Sequence, residues 1–392
     1  MVDAYLRWTR WRAALHRGWW LVTSVYLVVD AGLSPPQLVL VGVAQALVGL
    51  VCEVPAGVVA DTLGRKRSLI VSQLLMGAAM TATALVTGFV PVLLTQMLWG
   101  LAWTFASGAD VAWITDELAD PERIATVLTR AGRADLTGAA TGMIGLGLLA
   151  SVTGRSAAMA VAGLAQMVLA GYILRRFPER RFAGAGPRWA AFRSVLTHGV
   201  RLTRRSRPIL VMMTATLLVN GALVAGRLLA RRLVDLGFPT TPLVAYTGLG
   251  VAALLAGAAV LRAVEMHIDD ARTARRGYLL ACAAGALGLT VLALASGAVL
   301  GSAAFLLVTG VAAPVTRTLA TIWVNRETVG AVRATVHSFL AQAEYLGVIL
   351  LGLALAAVAG WLPVPGTLLA CAGLFVLAAV VAASPDRRGA CG

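Results

Sequence analysis

Residues 57–68 read GVVADTLGRKRS. Two glycines, one acid and three consecutive bases interrupt a chain that is otherwise mostly Ala, Val, Leu and Gly. The block lies between two long apolar runs, at about 37–60 and 68–88. A short charged turn between such runs is what a chain needs where it leaves an apolar phase and re-enters it. The composition points the same way. Of 392 residues, 59% are hydrophobic and 13% charged, and the mean hydropathy is +0.83. A soluble domain carries about 25% charged residues, so this chain has too little polar surface to coat a water-facing globule. Apolar stretches of roughly 20 residues recur along its whole length, as in transmembrane helices. The expected fold class is therefore all-α integral membrane.

About twelve candidate spans can be marked, near 17–33, 37–60, 68–88, 91–116, 124–150, 156–175, 208–230, 241–264, 277–297, 299–324, 333–358 and 364–384. The first passes into the second with no small-residue cleavage site, so it reads as a retained span. The longest polar stretch, 175–207, is strongly basic, and its Trp189, Phe192 and Val195 give one apolar side to a short surface helix. It divides the chain into an N-terminal six-helix bundle (1–176), a basic linker loop (177–207) and a C-terminal six-helix bundle (208–392). The formal charge of +15 comes from arginines in short blocks between apolar runs. That is the positive-inside pattern and not a nucleic-acid surface. It predicts a multi-pass protein of the cell's inner (plasma) membrane, with both termini and the basic loops cytoplasmic. The four cysteines and four histidines are scattered. They show no disulfide framework, metal spacing or nucleophile–base arrangement, so neither a metal nor an enzyme activity is expected.

The two halves echo one another. ATVLTRAGRADLTG (125–138) aligns with ATVHSFLAQAEYLG (334–347) at an offset of 209 residues (334 minus 125). At that offset Asp61 falls on Asp270, Asp135 on Glu344, and the bases 65–67 over 274–276. Repeated bundles of this kind are how membrane carriers that rock about a midplane site are built.

On these residues the chain resembles the major facilitator superfamily. Gly57, Asp61, Gly64, Arg65 and Lys66 match its Gly-x-x-x-Asp-x-x-Gly-Arg-Lys/Arg loop between spans two and three. The resemblance implies twelve helices in two pseudo-symmetric bundles and a gating role for the loop. Asp61 would sit against the start of span eleven, and Arg65 would pair with an acid ending span four, Asp116 first, with Glu117 or Asp120 as alternatives. Asp270 would be the counterpart in the second half. Gly57 is expected to let a neighbouring helix approach closely, and Gly64 to turn with φ > 0.

Ionisable residues inside spans cost several kcal/mol and usually mark a pathway or a pair. In span four Trp99, Trp103, Asp110, Trp113 and Glu117 recur at helical spacing, which predicts one face of indoles around a carboxylate, fit for an organic cation. Trp19, Tyr26 and Asn220 are further cavity candidates, and Asp30 at the outer end of span one reads as solvated. Glu53 lies eight residues inside Asp61, about 12 Å deeper along the helix, and is the first choice for a proton carrier, with Asp110 second and Asp135 and Glu344 behind. Arg133 is expected to serve Asp110 or Asp135, Arg317 to pair with Glu344 at the cavity, and Arg227 to snorkel. Gly138, Gly142, Gly145 and Gly147 are expected to permit close packing of span five.

EVPAGVVAD and SGADVAWITDEL look like the superfamily branch of tetracycline, macrolide and siderophore efflux. That resemblance implies a proton-coupled multidrug antiporter conferring antibiotic resistance, working as a monomer with the lipid bilayer, a small-molecule substrate and protons, and with no cofactor beyond the proton gradient. Two features depart from the antiporter pattern: Gln96 stands where a membrane Arg is usual, and span five has glycines but no Gly-Pro. A carrier for one small metabolite or siderophore, and a non-transporting sensor using the basic loop, are the alternatives.

Overall fold

The computed structural model describes residues 1–180, 207–267, 271–327 and 333–384. The linker residues 181–206, Asp270 and the start of span eleven at 328–332 lie outside them. Every regular element among the described residues is helical. The helices are α1 (Val2–Val29), α2 (Pro35–Leu63), α3 (Arg65–Leu85), α4 (Phe89–Ala106), α5 (Ala109–Leu118), α6 (Pro121–Thr153) and α7 (Arg155–Arg176). They continue with α8 (Arg207–Leu223), α9 (Gly226–Asp235), α10 (Val244–His267), α11 (Ala271–Leu294) and α12 (Ala298–Leu306). A π-helical turn, Leu307–Ala312, joins α12 to α13 (Ala313–Glu327), and α14 (Arg333–Trp361) and α15 (Val364–Ala383) follow.

Among the described residues eleven segments are long and apolar enough to cross a membrane, with α4–α5, α8–α9 and α12–α13 each counted as one. The first helix is a separate case, because Arg7, Arg10, Arg12 and Arg17 leave only its stretch from residue 18 onward free of charge until its C-terminal end. Large apolar side chains point outward along these helices: Val168 is 71% exposed and Leu280 72%. Such faces suit contact with lipid.

The described residues form two compact units, one of 1–34, 44–180 and 239–251, the other of 35–43, 207–238 and 252–384. In the first, α1 crosses α6 at backbone contact. A Cβ on Gly138 would collide with the Arg10 carbonyl, and one on Gly142 with the Ala14 carbonyl. The glycines of span five thus do what their composition predicts at 138 and 142. Gly147 meets Thr247, whereas Gly145 faces open space. Gly77 and Gly163 bring α3 and α7 together in the same way, beside a buried Gln166–Gln73 hydrogen bond of 2.7 Å. In the second unit α8 packs on α14 where a Cβ on Gly347 would strike the Leu217 carbonyl. Gly347 is the repeat counterpart of Gly138 at the 209-residue offset. The sequence repeat is therefore a repeated helix crossing.

Helix ends are closed by charged side chains. Arg232 donates to the carbonyls of Leu292, Ala293 and Ala295 at 3.1, 2.9 and 2.9 Å, satisfying the last turn of α11. Arg275 does the same for the end of α15 through Ala382 and Ser384. Asp30 is not simply solvated: Arg155 holds it with two hydrogen bonds of 2.5 and 3.1 Å and also reaches the Thr240 carbonyl at 3.2 Å.

Candidate functional site

The site is built where span four breaks. α4 ends at Ala106 and α5 begins at Ala109, and between them Gly108 takes a left-handed conformation (φ 75°) that glycine adopts without strain. The break changes the phase of the helix, so the predicted single face of span four is split. Trp99 and Trp103 lie before it, Asp110, Trp113 and Glu117 after it.

Before the break the indoles of Trp99 and Trp103 are parallel, with centroids 5.9 Å apart. His16 of α1 lies 5.2 Å from Trp99 and 5.5 Å from Trp103, and Trp20 lies 5.6 Å from Trp99. These four rings make an aromatic shelf, on which Trp103 is 37% exposed. The neighbouring face of α4 is fixed by buried amides: Gln45 donates to Gln96 at 2.9 Å, and Gln96 to Thr83 at 3.0 Å. Gln96, standing where antiporters place an arginine, is thus a fully buried clamp between helices.

After the break Asp110 occupies the first turn of α5. One oxygen accepts from the Val111 N–H at 2.8 Å, and the other lies 3.2 Å from the Arg12 guanidinium. Arg12 in turn covers the Trp8 ring at 4.5 Å. The partner of Asp110 is therefore Arg12 and not Arg133, which is exposed and forms no ion pair among the described residues. Asp135 also forms none there.

Trp113 is corrected from a cavity residue to a core residue. It is 1% exposed, stacks on Phe177 at 4.1 Å and donates to the Pro178 carbonyl at 2.9 Å. The turn at Gly108 carries it away from Trp103 into a cluster with Tyr5 and Trp8. Tyr5 lies before the apolar part of α1; burial, and then the Asp110 charge, hold its phenol above the ordinary pKa. Trp19 and Tyr26 are likewise inside the bundle, at 0% and 2% exposure, Tyr26 donating to the Val86 carbonyl at 2.9 Å. Asn220 uses its amide on the Thr216 carbonyl one turn back, at 2.9 Å.

Glu53 faces the break from α2. One carboxylate oxygen accepts from Ser107 Oγ at 3.4 Å, while the other is sealed from solvent and has no hydrogen-bond partner. No cationic side chain pairs with it among the described residues. Elsewhere, in the second unit, Arg317 lies 3.7 Å from Glu344, as the spacing predicts, although Arg317 is 70% exposed.

The 57–68 loop is a bracket. Arg65 pairs with Asp116, donates to the Ala112 carbonyl at 2.7 Å and lies 3.9 Å from Asp61. Gly64 has φ 111°, and Glu179 lies over it, accepting from the Lys66 N–H at 2.9 Å. Glu117 accepts from the Arg180 N–H at 2.7 Å. Gly57 does not meet its expectation: no atom lies within 4 Å of where its Cβ would be.

Reading the sequence alone passes over Arg12, His16, Arg155 and Glu179. The first two were legible as a stripe of Trp8, Arg12, His16 and Trp20 at four-residue intervals. Arg155 and Glu179 carry no local signal. Among the described residues no three His, Cys, Asp or Glu side chains gather as a metal ion requires.

Repeated helical units with apolar faces turned outward are the build of a membrane carrier. Residues 17–350 match the model of the Major Facilitator Superfamily. The chain belongs to that superfamily, and it is a transporter and not an enzyme. Solved structures with the same fold include the nucleoside transporter NupG, at 16% identity and TM-score 0.79, covering 97% of this chain and 98% of that one. A bacterial homologue of the human lysosomal transporter Spinster matches at 14% identity and TM-score 0.70, covering 97% and 95%. The POT-family transporter PepTSo matches at 13% and 0.72, covering 97% of each chain. No curated protein sequence matches this one.

Proposed function

We propose that this chain is a secondary active transporter of the inner membrane, with both termini cytoplasmic, that exports amphiphilic cationic or zwitterionic drugs in exchange for protons. The observation that carries this reading is the aromatic shelf of His16, Trp20, Trp99 and Trp103 beside the broken span four. Flat indole faces attract organic cations and bind apolar bodies without demanding one shape. Glu53, with one sealed and unpartnered oxygen, is the proton carrier; Asp110 is set aside from that role because Arg12 already answers its charge. The bracket of Arg65, Asp116 and Glu179 steadies the loop that closes the cytoplasmic side. Export of this kind lowers the sensitivity of the host to antibiotics.

Everted membrane vesicles test the reading. Fluorescent cationic dyes should accumulate when an inward-acid pH gradient is imposed, and Glu53→Gln should abolish the gradient dependence. If no dye moves while the folded protein is present in the membrane, drug export fails. A narrower reading is a carrier for one metabolite with a planar ring. The parallel Trp99 and Trp103 rings favour it, and NupG, whose fold is shared, is a nucleoside transporter. Competition of unlabelled nucleosides against dye uptake separates the two.

A further inference from the structure

In the first unit α1 and α6 run side by side, with Gly138 against the Arg10 carbonyl and Gly142 against that of Ala14. Their C-terminal ends are level, because Arg155, just after α6, holds Asp30 at the end of α1. A hydrocarbon core of about 30 Å takes about 20 residues of helix. Counted back from Asp30 and Gly154, that length reaches Arg10 on α1 and Ala134 on α6. Arg10 and Arg133 therefore stand at the opposite edge of the core. Arg7 and Arg130, about one turn further, fall in the headgroup layer, which is about 5–7 Å thick. All four arginines are exposed, and their guanidinium groups have no partner among the described residues. Asp3, Glu122 and Asp135, the acids on the same two segments, form no ion pair there either. Beside Arg10, Trp11 is 61% exposed. An indole suits that depth, its ring against acyl chains and its N–H among headgroups. Arg12 turns inward to Asp110 instead, and Arg17 lies two turns deeper than Arg10.

We propose that these segments of α1 and α6 hold the headgroup of an anionic phospholipid. Its phosphate is drawn by Arg7, Arg10, Arg130 and Arg133, and the upper part of its acyl chains lies on Trp11. Guanidinium groups pair with phosphate through two parallel hydrogen bonds, and basic segments at a membrane surface select anionic lipids. The lipid has a structural consequence. Unanswered like charges on neighbouring helices repel, and a shared anion turns that repulsion into a bridge beside the glycine crossing. Arg7 and Arg10 share one face of α1, and Arg130 and Arg133 one face of α6, so each helix offers a pair. On the orientation proposed above the site lies in the inner leaflet. It does not depend on what the transporter carries.

Tryptophan quenching in detergent micelles tests the site on the purified full-length protein. The probes are phosphatidylglycerol and phosphatidylcholine, each brominated near the ester end of the acyl chains. Each protein is measured with and without Trp11→Phe, so that the difference isolates Trp11. Phosphatidylglycerol should quench Trp11 at about tenfold lower mole fraction than phosphatidylcholine. Arg10→Gln/Arg133→Gln should remove that preference, and Arg10→Lys/Arg133→Lys should keep most of it. Arg262→Gln/Arg276→Gln, which removes two exposed bases of the second unit, should leave it unchanged. If the double glutamine variant does not fold, Arg133→Gln alone should lower the preference about threefold. Equal quenching by the two lipids in wild type, or a preference that survives Arg10→Gln/Arg133→Gln, overturns the site. An equal loss in Arg262→Gln/Arg276→Gln overturns it in favour of diffuse attraction. Displacement of phosphatidylglycerol by millimolar glycerol 3-phosphate would show that a soluble phosphate is the occupant and overturn the lipid.

Discussion

Glu53 and Asp110 are carboxylates on adjacent parts of one unit, and what separates them is the company each keeps. Asp110 stands at a helix start with a guanidinium 3.2 Å away, so its negative charge is stabilised. Removing Arg12 should leave that charge half-buried and unanswered. Arg12→Ala is expected to cost on the order of 2 kcal/mol, read as a lowered unfolding temperature, and the double variant Arg12→Ala/Asp110→Asn should recover part of it. The tryptophans divide in the same manner. Trp103→Ala is expected to weaken dye efflux at near-normal membrane levels, because that ring is exposed on the shelf. Trp113→Ala empties a packed cluster and should cost about 3–5 kcal/mol, seen as loss of folded protein. The sequence placed both indoles on one stripe, and only the turn at Gly108 parts them.

At the scale of the helix, glycine positions carry the packing. Lipid tails are as apolar as leucine, so helices in a membrane associate through close backbone approach. Gly138 and Gly142 meet backbone carbonyls of α1, and Gly347 meets one of α8. Gly138→Val, Gly142→Val and Gly347→Val should each fail to give stable protein, since the obstructing atom is main chain and cannot rotate away. Gly145→Ala faces open space and should be neutral or raise stability by up to about 1 kcal/mol, the helix-propensity gain; thermal unfolding in detergent compares all four. The run of glycines was legible as a packing device. Which of its members touch a neighbour was not, because that depends on the rotation of α6 about its axis against α1.

Over the whole molecule, the bracket around the 57–68 loop ties distant stretches together. Arg65 joins the start of α3 to the end of α5, and Glu179 joins it to the root of the linker. On the proposed function, these ties steady the loop that closes the cytoplasmic side. Arg65→Ala, Asp116→Asn and Glu179→Ala should each reduce the initial rate of dye transport several-fold while leaving dye affinity and membrane level near wild type. Initial rates in vesicles, measured beside binding in nanodiscs, check this. A fall in affinity equal to the fall in rate would place these residues at the substrate and not at the bracket.

Composition, span spacing, the loop motif and the repeat at 209 residues were enough to determine an all-α membrane carrier of two repeated bundles, because bilayer thickness and backbone hydrogen bonding leave a chain this apolar few alternatives. The Arg65–Asp116 pair was within reach through the loop's resemblance to the superfamily motif, and Arg317–Glu344 because the two charges lie inside consecutive predicted spans. The sequence did not determine which acid would be left unpaired. That required the break at Ser107–Gly108 and the meeting of α1 with α5, contacts between residues about a hundred positions apart. Local periodicity reports the face of one helix; only packing decides which charges on different helices meet, and which, like Glu53, form no ion pair among the described residues.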